Sequence, residues 1–123
     1  MRKPKNLDVY HMLFENHNTV MLLIDPDNGR ILGANRAAVD FYGYAKDELL
    51  NMNLRDIYVL TPEQFDEEIY RAKSGNKKHF DCVHRLADGE EREVEVYSFP
   101  VTIQDEVLLF SIVNDVSDRL YRE

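Results

Sequence analysis

Two stretches of this chain are apolar on both sides of an extended backbone, and no other feature limits the fold as tightly. VMLLI at residues 20–24 and VLLFSIV at residues 107–113 put large aliphatic or aromatic side chains at odd and even positions alike. Successive side chains of a strand point to opposite faces, so such strands are stable only where both faces of their sheet are covered. Both are therefore expected to be central, and one covering layer is not enough.

The rest of the chain offers the cover. Leu7, Tyr10, Leu13 and Phe14 recur at helical spacing and predict an amphipathic helix over residues 7–16. After VMLLID, the run DPDNG predicts a tight reversal in which Gly29 takes positive φ, and Ile31 and Leu32 open a shorter second strand. Asn35 is placed to N-cap a short helix whose Ala38, Phe41 and Tyr42 share one face and which Gly43 ends. AKDELL predicts another helical turn. Thr61-Pro62 starts a longer helix with Phe65, Ile69 and Ala72 on its apolar side, closed at Ser74-Gly75. From Lys78 the period becomes two: Phe80, Cys82, His84 and Leu86 share a face, and Ala-Asp-Gly at residues 87–89 makes a hairpin turn. Glu91, Glu93 and Glu95 mark the wet face of the next strand, a register continued by Tyr97 and Phe99. Two strands, several helices and three strands make an α+β domain with one antiparallel sheet. The helices between residues 35 and 74 are expected to cover one side, and the N-terminal stripe together with a second copy of the chain the other.

Composition removes several functions. A chain of 123 residues is one domain in size. Fifteen basic against 23 acidic side chains give a net charge of −8, which argues against a nucleic-acid surface. No apolar run is long enough for a membrane span, and the basic N-terminus lacks the apolar stretch of a secretory signal, so a cytoplasmic setting is expected. The single cysteine, Cys82, excludes an intrachain disulfide and a sulfur-built zinc site.

The chain resembles the PAS domain, the sensory module of two-component kinases, diguanylate cyclases and other signalling proteins. The resemblance covers about residues 7 to 119. It is carried by Asp25, Gly29, Ile31 and Asn35, by Gly43-Tyr44 and Glu48-Leu49, by Asp88-Gly89, and by Asp115-Val116-Ser117. It implies a five-stranded antiparallel sheet of order 2-1-5-4-3, with short helices on one face and the N-terminal amphipathic helix beside them. It also implies a flanking helix in residues 1–18, the PAS domain in residues 19–116, and the start of a signalling linker helix in residues 117–123, with Ser117 or Asp118 as its cap. The partner of the exit aspartate is expected to be Arg85 or Arg92. An output domain covalently linked in a longer protein is implied as well.

Members of this family differ in what fills the pocket between sheet and helices. The light-oxygen-voltage subgroup uses a reactive cysteine in an Asn-Cys-Arg motif; the corresponding region here reads NMNLRD, without a thiol. Haem-binding members commonly take an axial histidine from the long helix, and PEQFDEEIYRAKS has none. The cofactor therefore stays unknown, with no sign of covalent flavin or haem. His79 and His84 face opposite sides of a strand and His11 and His17 are six apart, so neither pair is a ready chelate and no metal site is expected. The acidic clusters Glu63, Asp66, Glu67, Glu68 and Glu91, Glu93, Glu95 are read as solvated faces.

The candidate pocket is lined from the helical region by Phe41, Tyr42, Leu54, Ile57, Phe65 and Ile69. From the strands it takes Phe80, Cys82, His84, Val96, Ser98 and Phe110. The first expectation is a non-catalytic regulatory module that binds a small ligand there, dimerises, or both. The second is a ligand-free dimerisation module using Leu7, Tyr10, Leu13, Phe14, Tyr97 and Phe99. A third, a small cone-like α+β enzyme, would need His84 paired with Tyr42 or Tyr44.

Overall fold

The computed structural model of the protein describes residues 6–117, with side chains from His11 onward. The N-terminal helix α1 (Asn6–Asn16) leads into β1 (Val20–Ile24) and β2 (Ile31–Ala34). Then come α2 (Arg36–Tyr42), α3 (Lys46–Leu49), a 3-10 turn (Leu54–Asp56) and α4 (Pro62–Ser74). Strands β3 (His79–Arg85), β4 (Glu91–Ile103) and β5 (Glu106–Asp115) complete a five-stranded sheet of order β2-β1-β5-β4-β3. All its pairings are antiparallel.

The two apolar stretches lie side by side, with Val20 opposite Val113, Leu22 opposite Ser111 and Ile24 opposite Leu109. On the inner face Leu22, Ile24, Leu109 and Val113 are buried against Ala38, Tyr42, Leu49, Leu54, Ile57 and Phe65 of the helical layer. Each of the larger aliphatic side chains contributes about 1.5–3 kcal/mol by leaving water. Among the described residues the outer face is covered only in part. Phe14 of α1 reaches Phe110 of β5, ring centroids 6.4 Å apart, and Glu15 pairs with Lys46 of α3 at 3.1 Å. Met21, Leu23 and Ile112 are half-buried there. Leu7, Tyr10 and the linker segment after Ser117 lie outside the residues whose side chains are described.

Local chemistry sets the element ends. In the first reversal the Gly29 N–H donates to the Asp25 carbonyl at 2.8 Å, and the Arg30 N–H to the Asn28 side chain at 2.8 Å. Gly29 has φ +77°, and a Cβ built on it would stand 2.6 Å from Asn53 Oδ1, so both conformation and space demand glycine. Thr61 and Gln64 form a reciprocal capping box at the start of α4, the Gln64 N–H donating to Thr61 Oγ1 and the Thr61 N–H to Gln64 Oε1.

Asn35 does more than cap α2. Its Oδ1 accepts from the N–H groups of Ala38 and Met21, each at 3.0 Å, and its Nδ2 donates to the Thr19 carbonyl at 2.8 Å. The side chain is wholly buried and fastens α2 onto the start of β1. Replacing Asn35 with Ala removes these bonds and leaves buried backbone groups unsatisfied. The expected loss is roughly 3 kcal/mol, read as a lower urea midpoint at unchanged slope.

Candidate functional site

Tyr42, at the end of α2, and His84, on the inner face of β3, meet with Tyr42 Oη 2.9 Å from His84 Nδ1. Both are fully buried. The Tyr58 ring lies over the imidazole at a centroid distance of 4.4 Å, and the Phe65 ring meets Tyr58 edge-on at 5.3 Å. Phe41 meets Tyr42 edge-on at 5.0 Å and is half-buried. A row of rings thus fills the space over β3 and β4. His84 Nε2 is buried with no hydrogen-bond partner among the described residues. Burial holds its imidazole down to a pKa of about 3, because the charged form would lose its hydration. Burial likewise raises the hydroxyls of Tyr42 and Tyr58, so this cluster is neutral across the ordinary pH range.

Cys82 sits beside this row. Burial, with the Glu68 carboxylate next to it, pushes the thiol up to about 12, which removes it as a thiolate nucleophile. Its Sγ lies 3.7 Å from Glu68 Oε2. Glu68 was expected on the solvent side of α4, and the structure corrects that: it is half-buried, and its carboxyl is raised, chiefly by burial. On a helix of 3.6 residues per turn position 68 falls about 40° beyond Ala72, at the border of the apolar stripe, so its side chain reaches the edge of the core despite its charge.

The space left between sheet and helices is small. Among the described residues, Leu54, Ile69, Phe80 and Ser98 of the candidate set line an inner cavity of about 10 Å³ with Ile24, Tyr58, Glu68, Ala72, Leu109 and Ser111. A single water needs roughly 10–15 Å³, so the chamber has no room for an organic ligand in this conformation. Across its floor the hydroxyls of Ser98 and Ser111 bond at 2.9 Å. Ile57 and Val96 belong to the buried core and are not among its lining residues.

Phe110 does not belong with these residues. It lies on the opposite face, level with Leu23, because Leu109 and Ser111 take the inward positions of β5. There it lines a broad groove of about 940 Å³ bounded by Leu13 and Phe14 of α1, by Met21, Leu23 and Leu32, and by Val101 and Ile103 of β4. The groove is almost wholly apolar. Leu13 is 61% exposed and Ile103 46%.

The exit of the sheet is a polar clamp. Of the two expected partners, Arg92 holds Asp115: its Nη2 and Nε donate to Asp115 Oδ2 at 2.6 and 3.0 Å. Arg85 instead pairs with Glu91 at 3.1 Å. Asp115 Oδ1 accepts from the Ser117 N–H at 3.0 Å, and the Ser117 hydroxyl accepts from the Glu93 N–H at 2.7 Å. Ser117 is thus tied to β4, and it is Asp115 that bonds the backbone two residues on; Asp118 lies outside the described residues. Partial burial alone would raise the Asp115 carboxyl, but the Arg92 and Ser117 bonds outweigh it and hold the carboxyl below its usual range.

His84 makes the core acid-sensitive. Its folded pKa, about 3, is below the ordinary 6.5, so the stabilisation is complete above pH 6.5 and is lost as pH falls from there toward 3. The expected loss is on the order of 4 kcal/mol over that window, seen in pH-dependent urea unfolding. His84→Gln should flatten the slope by about one proton.

A family profile of the PAS domain matches residues 18–118. Diguanylate cyclase DgcM of Escherichia coli K12 is 34% identical over 118 residues, covering 94% of this chain and 28% of that protein. The methyl sulfide methyltransferase-associated sensor of Methanosarcina acetivorans is 24% identical over 114 residues, 89% of this chain and 11% of the sensor. The chain therefore spans under a third of the curated relatives it matches. The PAS domain of a two-component sensor histidine kinase superposes with a TM-score of 0.77 at 26% identity, covering 89% of this chain and 95% of that one. A PAS domain from Colwellia psychrerythraea does so with 0.80 at 20% identity, covering 94% and 100%. No helix among the described residues is long and apolar enough to cross a membrane. With sheet order, exit clamp and these matches in agreement, the chain belongs to the PAS domain family.

Proposed function

We propose that this PAS domain is a non-catalytic, cytoplasmic regulatory module that works by pairing with a second copy of itself through α1 and the outer sheet face, and that it controls an output domain in a longer protein. The observation that carries this reading is the contrast between its two faces: an inner cavity of about 10 Å³ and an outer apolar groove of about 940 Å³. A pocket for a drug-sized ligand occupies about 300–1,000 Å³, which the inner chamber does not approach. The groove could hold a ligand of that size, but its rim favours a protein partner. Met12 and Leu13 are 60% and 61% exposed on α1 while Phe14 packs on the sheet, so α1 offers apolar side chains to its own domain and to a neighbour.

The Arg92–Asp115 clamp supports the second half of the proposal. It ties the end of β5 to β4, so a rearrangement of the sheet's outer face bears on the chain where it leaves the domain. The E. coli relative is named a diguanylate cyclase, and an output of that kind is the one we propose. Its chemistry would lie outside the residues described.

Light scattering should give a dimer mass for the wild type and a monomer mass for Leu13→Asp, with an unchanged circular-dichroism spectrum because Leu13 is exposed in the single chain. A monomeric wild type would overturn the pairing. Native mass spectrometry should find no retained small molecule; a bound metabolite that Ile69→Trp expels would favour the inner-pocket reading instead. For the exit clamp, a double-mutant cycle of Arg92→Ala with Asp115→Ala should give a coupling of about 1 kcal/mol, since exposed pairs lie at or below that value.

A further inference from the structure

His79 opens β3, and its side chain shares the outer face with Asp81 two residues on. The strand register sets Glu95 of β4 directly opposite Asp81. One nitrogen and two carboxylate oxygens, from His79, Asp81 and Glu95, thereby come within 4.8 Å of one another. His79 Nε2 lies 3.5 Å from Asp81 Oδ1 and 3.8 Å from Glu95 Oε2. These separations are too long for good hydrogen bonds, and the buried Nε2 atom has no hydrogen-bond partner among the described residues. The Tyr97 ring stands beside the imidazole at 4.9 Å and limits its swing.

We propose that His79, Asp81 and Glu95 form a binding site for a divalent transition-metal ion of the zinc type. Ligand atoms bound tetrahedrally at 2.0–2.2 Å stand about 3.4 Å apart, so the two nitrogen–oxygen separations need close by only a few tenths of an ångström. An imidazole nitrogen with two carboxylate oxygens suits zinc and its neighbours better than magnesium or calcium, which take all-oxygen sets. Three protein ligands leave a fourth position open to water or to a group from outside. The neighbouring ammonium groups have other contacts: Lys77 lies over the Phe80 ring at 4.9 Å and Lys78 over the Phe99 ring at 5.9 Å. A bound ion would cross-link β3 to β4 on the outer face, independently of whether that face pairs with a second copy.

The test is calorimetric titration of the chain with zinc chloride in a non-chelating buffer, paired with the visible spectrum after cobalt(II) addition. One equivalent should bind, with cobalt bands of a low-coordinate site. His79→Gln and Glu95→Gln should each weaken binding by more than about tenfold and abolish the bands, with circular dichroism unchanged. His11→Gln, at an exposed histidine remote in sequence, should leave both intact. Binding that survives His79→Gln and Glu95→Gln would overturn the assignment. So would a wild-type chain that takes up no zinc.

Discussion

β1 and β5, near opposite ends of the sequence, lie against each other in the middle of the sheet, and the domain is organised around that ladder. Its inner side chains, Leu22, Ile24, Leu109 and Val113, are almost completely withdrawn from water. Bringing remote segments together costs chain entropy before any contact is made, so the pairing depends on burying apolar surface on both sides. The inner side is completed by α2, α3 and α4. On the other, α1 supplies Phe14 and little more among the described side chains. The chain enters through α1 just before one of these strands and leaves through Asp115 at the end of the other. Entry and exit are thus neighbours in space, joined through a single rigid ladder.

Inside, polar groups survive because each has a defined place. The Ser98 and Ser111 hydroxyls bond to each other across β4 and β5, and Tyr42 holds one nitrogen of His84. A neutral imidazole packed among tyrosine rings costs far less than a charged one. The same burial that fills the chamber therefore sets the protonation of what fills it. Burial thus holds Cys82 as a thiol and the two tyrosines as phenols.

Much of the fold was legible because its signals are local. The caps at Asn35 and Thr61, the glycine stops at Gly43 and Gly75, and the period-two run from Phe80 each depend on neighbouring residues alone. Features that depend on register or angle were not legible in the same way. Phe110 sits in a strand apolar on both faces, so alternation could not say which parity points inward; only the pairing of Leu109 with Ile24 decides it. Glu68 carries a charge that reads as solvent-facing, while its helical angle puts it at the border of the Phe65, Ile69 and Ala72 stripe. Tyr58 follows the 3-10 turn, where no periodicity marks a buried ring. His79 and Asp81 share a face by strand alternation, a pairing absent from the expectations above, and Glu95 joins them only through the β3–β4 register. The turn between β4 and β5 places Gln104 and Asp105 at φ 51° and 64°, a conformation usually signalled by Asn-Gly and carried here by residues that give no such sign.

The outer face, partly bare among the described residues, also bears on how the chain behaves before a partner covers it. Exposed apolar side chains such as Leu13, Leu32 and Ile103 would draw copies together indiscriminately, yet the molecule carries a net charge of −8. Mutual repulsion opposes random clumping at long range and fades within about 8 Å in physiological salt. Only an approach that fits closely enough for hydrophobic contact to take over then leads to lasting attachment. The acidic excess so acts as a filter on encounters, holding a sticky surface in solution while leaving it open to the one geometry that suits it.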